Sequence, residues 1–83
     1  MKKFKNPKVI TKKLSYEQKE TYFAESSEKP GFKFVDDLSQ AKLFYNSDPV
    51  RWALQRLNPY YSYLKGISIK EKVGKELIKV HLR

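Results

Sequence analysis

Ile67-Ser68-Ile69-Lys70-Glu71-Lys72-Val73-Gly74-Lys75-Glu76-Leu77-Ile78-Lys79-Val80-His81-Leu82-Arg83 is the stretch that decides the fold. Side-chain character alternates from Ile67 to Val73, Gly74-Lys75 can close a two-residue turn, and alternation resumes from Glu76 with Ile78, Val80 and Leu82 on one side. The pattern predicts a β-hairpin with one half-buried face. His81, the single histidine, points away from that face and has no Cys, second His or nearby acid in sequence. It reads as a solvated strand residue, because catalytic bases and metal sites need several convergent groups.

Outward from the hairpin, periodicity assigns the remaining elements. Val9 to Leu14 is β-branched and alternating, a strand entered after Pro7. Thr21 to Ala24 reads as a second strand; its rival is a helix from a Ser15/Gln18 capping box, whose apolar face is thin. Ser26 to Gly31 is a loop with Pro30-Gly31 as turn signal, and Phe32 to Val35 alternates as a short strand. Asp36 or Asp37 can cap a helix over Leu38 to Tyr45, where Leu38, Ala41 and Phe44 or Tyr45 repeat at helical spacing. The pair does not read as catalytic carboxylates.

Asp48 as N-cap with Pro49 at the first helical position starts a second helix. Its stripe is Val50, Ala53, Leu54 and Leu57, with Trp52 expected beside it as a core anchor and Arg51, Gln55 and Arg56 outside. Asn58-Pro59 ends that helix, and Tyr60 to Leu64 can resume it for one turn before Gly66. The expected architecture is α+β: an antiparallel sheet of four or five strands packed on one face by two short helices, with a C-terminal β-hairpin. Residues 1–7 are expected as a flexible basic arm and 8–83 as one domain.

Charge speaks to partners. The chain carries +9, and Met1 to Lys13 holds six lysines (Lys2, Lys3, Lys5, Lys8, Lys12, Lys13) and no acid. Leu14 to Gln40 is acidic, while Ala41 to Gly66 and Ile67 to Arg83 are basic again. With no Cys, thiolate metal sites, disulfides and Cys nucleophiles are excluded, which fits a reducing, cytoplasmic setting. No apolar run approaches the ~20 residues a membrane span needs, and the Lys-rich start lacks the apolar continuation of a signal peptide. Gly31, Gly66 and Gly74 are isolated, so there is no Gly-rich phosphate loop, and Ser15, Ser26 and Ser27 have no partner histidine. The expectation is a protein that is not an enzyme and uses no cofactor or metal.

The candidate contacts are basic and aromatic. Tyr60, Tyr61 and Tyr63, among Arg51, Arg56 and Lys65, place rings between cations, the combination that single-stranded nucleic-acid binders use. The same rings can instead close the small core with hydroxyls reaching water. The candidate set is therefore Lys2, Lys3, Lys5, Lys8, Lys12, Lys13, Arg51, Arg56, Tyr60, Tyr61, Tyr63 and Lys65. Fifteen of the eighteen cations are Lys, point charges suited to phosphates rather than bidentate base reading, so recognition should be weakly sequence-specific.

The run Gly31-Phe32-Lys33-Phe34-Val35-Asp36-Asp37-Leu38-Ser39-Gln40-Ala41-Lys42-Leu43-Phe44, followed by a helix and a hairpin, resembles a pattern in small uncharacterised proteins of Gram-positive phages and mobile elements. In those a strand leads into an Asp-Leu-x-x-Ala-x-x-Phe helix start. The resemblance implies core roles for Leu38, Ala41 and Phe44 and a phage or mobile-element setting; it carries no catalytic or ligand residues. Two roles follow: a basic module contacting DNA or RNA through phosphates, or an interaction or inhibitor protein docking its positive face on an acidic protein surface.

Overall fold

A computed structural model describes residues 3–80. It is α+β: strands β1 (Lys3–Lys12), β2 (Thr21–Glu25), β3 (Phe32–Val35), β4 (Phe44–Asn46), β5 (Ile67–Val73) and β6 (Glu76–Val80), one helix α1 (Ser47–Leu57), and 3-10 turns at Leu38–Gln40 and Ser62–Leu64. The sheet is antiparallel, in order β3-β2-β1-β5-β6, with β4 also paired to β1. Six strands and a single α-helix thus replace the four or five strands and two helices expected from periodicity.

β1 is the central strand. Residues Lys8 to Lys12 pair with β5 on one edge, while Lys8 pairs with Phe44 and Thr11 with Tyr22 on the other. The strand begins at Lys3, opposite Asn46, so residues 3–7, expected as part of an arm, lie in the sheet; Met1 and Lys2 lie outside the described residues. Pro7 is accommodated because the register shifts between Lys3 and Lys8, an irregularity that removes the need for its missing amide.

The Leu38 to Tyr45 helix does not form. Asp37 caps only a 3-10 turn, its carboxylate accepting from the Ser39 N–H at 3.0 Å, and the Lys42 N–H then donates to the Phe23 carbonyl at 2.9 Å. The chain is drawn alongside the sheet, and Phe44 pairs with β1. Strand pairing overrides the local helical spacing. Helix α1 starts two residues earlier than expected, with Asn46 at the cap; Asp48 and Pro49 fall in its first turn, where a carboxylate suits the helix dipole and a missing N–H costs nothing. It ends at Leu57, with Asn58 as C-cap.

The core lies between the sheet and α1. Ile10, Phe23, Phe32 and Phe44 meet Val50, Ala53 and Leu57, with Phe4, Phe34, Leu54, Tyr61, Leu64, Ile67 and Ile69 at its margin. Phe23 is its centre, with ring centroids 5.7 Å from Phe32, 6.2 Å from Phe34 and 5.8 Å from Phe44. The C-terminal hairpin forms as expected over β5 and β6, turning at Gly74-Lys75. Ile78, however, is exposed rather than half-buried, because β6 is an outer strand beyond the reach of α1. Leu82 and His81 lie outside the described residues.

The sheet face opposite α1 carries Lys33, Lys70, Lys72 and Lys79 at strand positions and no carboxylate among them. Lys70 and Lys79 stand directly opposite one another. Lys70 Nζ also reaches Glu20 Oε2 at 2.7 Å, across the central strand.

Phe23→Ala should remove about 3–5 kcal/mol of stability, the cost of emptying a closed aromatic core site, read as a lower urea midpoint with an unchanged slope.

Candidate nucleic-acid interface

At the end of β1 the chain makes a tight, doubly stapled turn. The Lys13 N–H donates to the Gly66 carbonyl at 2.9 Å, which locks the end of β1 to the start of β5. The Glu17 N–H donates to the Leu14 carbonyl at 2.9 Å, and Glu17 Oε1 accepts the Leu14 N–H at 2.8 Å. Glu17 Oε2 lies 3.2 Å from Lys12 Nζ. Gly66 permits the close approach: its φ is +82°, and a Cβ there would lie 2.7 Å from Leu14 Cδ2 and 3.1 Å from the Lys13 carbonyl oxygen.

This geometry opens a cleft of about 570 Å³ lined by Lys13, Leu14, Ser15, Tyr16, Tyr61, Lys65 and Gly66. Its titratable residues are two exposed lysines and two tyrosines, and no carboxylate lines it. Tyr16 is 80% exposed, whereas Tyr61 is half-buried, its ring 5.8 Å from Phe34 in an edge-on arrangement. Lys12 Nζ sits 5.1 Å from the Phe34 ring centroid and 5.7 Å from that of Tyr61. The cleft therefore has a packed wall, Tyr61, and a solvent-exposed one, Tyr16.

The fold gathers some sequence-predicted residues and separates others. Lys13, Tyr61 and Lys65 meet in the cleft. Lys8 and Lys12 are absorbed into the fold: Lys8 Nζ lies 3.6 Å from Glu71 Oε1 and 4.6 Å from the Phe4 ring centroid, and both lysine side chains are largely covered. Lys3 and Lys5 are exposed on β1, and Lys2 lies outside the described residues. Arg51 lines a separate groove with Leu54, Leu64, Ile67, Ile69 and Val80.

Arg56 packs against Gly31, and Tyr60 stands edge-on to Phe32 at 5.4 Å. Tyr63 is almost fully exposed and, like Leu64, adopts a left-handed backbone (φ 56° and 54°). That reversal replaces the expected helical turn and sends Leu64 to the core margin while Tyr63 points outward. Tyr16 was not among the sequence candidates; its signal, a tyrosine in a turn beside two lysines, has no periodicity to mark it.

No family model matches this chain, and no curated protein or solved structure matches it either. Among the described residues no group of His, Cys, Asp or Glu could hold a metal ion, and no helix is long and apolar enough to cross a membrane.

The Leu14 N–H holds the Glu17 carboxyl below the usual carboxylate range; burial opposes this, and Lys12 adds to the lowering. A carboxyl whose folded-state value is depressed favours the fold when ionised, fully above the unfolded value of 4.5, and loses that contribution as pH falls through the folded value below it. Glu17→Gln should therefore lower the melting temperature at neutral pH, with the gap to the parent closing in an acid titration below pH 4.5.

Proposed function

We propose that this chain is a small non-enzymatic module that binds single-stranded nucleic acid, DNA or RNA, through phosphates and with weak sequence specificity. The observation that carries the reading is the carboxylate-free cleft in which Lys13 and Lys65 flank the Tyr16 and Tyr61 rings. Bases stack on tyrosine faces irrespective of sequence, and lysines neutralise the phosphates on either side. Four lysines (Lys8, Lys12, Lys42, Lys70) are engaged with Glu71, Glu17, Glu25 and Glu20, which neutralises much of the acidic charge and leaves the +9 chain with a cationic surface. The phage or mobile-element setting implied by the Gly31 to Phe44 run belongs to the same proposal.

A second reading, docking on an acidic protein surface, is favoured by the groove of about 430 Å³ between α1 and the hairpin, bordered by the outer strand β6. Strand addition at such an edge is a common mode of protein recognition.

The two readings part in an anisotropy titration with a generic single-stranded oligonucleotide. Binding at low salt with a steep salt slope is expected; no binding at low salt would sink the nucleic-acid reading. Lys13→Gln and Lys65→Gln should each reduce the log–log salt slope by about 0.7, and Tyr16→Ala should weaken binding about tenfold or more with the melting temperature unchanged.

A further inference from the structure

Trp52 is 61% exposed although its neighbours Val50 and Ala53 are buried. The sequence expectation of a core anchor fails because position 52 falls outside the Val50-Ala53-Leu57 stripe. Arg56 lies one helical turn on, and Tyr60 continues the same line past the end of α1. An exposed tryptophan gives up a large hydrophobic gain, so its placement asks for an occupant.

Beside Trp52 runs a cleft of about 310 Å³ floored by Phe23, Phe44 and Ala53 and rimmed by Arg56, Lys42 and the carboxylate of Glu25. That size is at the lower end for small-ligand pockets and suits a single ring system. Lys42 Nζ lies 3.0 Å from Glu25 Oε1, but both side chains are well exposed, and a pair so wetted yields readily to a phosphate. Arg56 is positioned by Gly31, whose φ is +96° and where a Cβ would come 3.3 Å from the guanidinium Nη2.

Rings connect this cleft to the first. Tyr61 meets Phe34 at 5.8 Å, Phe34 meets Phe32 at 6.1 Å, and Phe32 meets Tyr60 at 5.4 Å. Phe32 belongs to the core and Phe34 packs at its margin, so the two clefts back onto one aromatic cluster beneath the surface.

We propose that the Trp52 cleft is a second stacking subsite, taking one unpaired base of the same strand on the indole with a flanking phosphate on Arg56. This rests on the nucleic-acid reading of the first cleft. Two cations against one carboxylate at the rim, on a +9 chain, favour a polyanion over an apolar protein segment here.

Trp52 is the single tryptophan, so its emission reports the subsite directly. The full chain is titrated at low salt with an oligothymidylate and with an abasic deoxyribose-phosphate oligomer of equal length. Trp52→Ala is titrated with both by anisotropy. Emission should be quenched by the oligothymidylate and not by the abasic oligomer; Trp52→Ala should weaken the first about tenfold, leave the second unchanged, and keep the parent melting temperature. Oligothymidylate binding that depends on Tyr16 yet leaves both the emission and the Trp52→Ala affinity at parent values would overturn the subsite while the first cleft stands, and would assign Trp52 to a protein partner. An equal loss for both oligomers would overturn stacking. Binding of neither overturns both proposals.

Discussion

The most lysine-dense segment of this chain is also its most central strand, and the rest of the structure answers to that constraint. β1 is paired along both edges, so its alternate side chains cannot all escape to solvent. Ile10 is committed to the core, which places Lys8 and Lys12 on the same side as the buried phenylalanines. A half-buried ammonium needs compensation. Lys8 finds Glu71 and the Phe4 ring; Lys12 finds Glu17 and the rings of Phe34 and Tyr61. Acids otherwise available to lower the surface charge are thereby used to stabilise the sheet.

The same compensation shapes the candidate site. Glu17 is held both by Lys12 and by the Leu14 amide, so neutralising a core lysine also fixes the turn that carries Tyr16. Gly66 brings β5 close to that turn, and Lys13 and Lys65 emerge side by side where the strands join. Structure and surface charge are linked through one turn.

How much of this was legible follows from the range of the forces involved. The hairpin and the β2 and β3 strands were readable because period-two alternation is local. The helix stops at Leu57 as read, yet Asn58 keeps helical angles (φ −55°, ψ −42°), so what ends the ladder is the N–H that Pro59 lacks rather than a shift of its neighbour. Residues 3–7 were not, since charge density suggests solvation while their pairing with β4 and the packing of Phe4 are made with partners far along the chain. The Leu38-Ala41-Phe44 spacing fits a helix equally well as a turn followed by a strand; the choice was made by β1, which offers Phe44 a partner at Lys8. Of the site, the lysines and Tyr61 were visible as a composition of cations and rings. Tyr16 and the exposure of Trp52 were not, because a turn has no period and a helix stripe one residue wider would have buried the indole.

Lys70 and Lys79 face each other across β5 and β6, on a sheet face whose strand positions hold no carboxylate, with Glu20 reaching only the first of them. Opposed like charges strain a strand pair, and mobile anions relieve that strain by screening. Salt therefore acts on this molecule in opposite senses: it tightens the hairpin while it releases any polyanion held by the lysines.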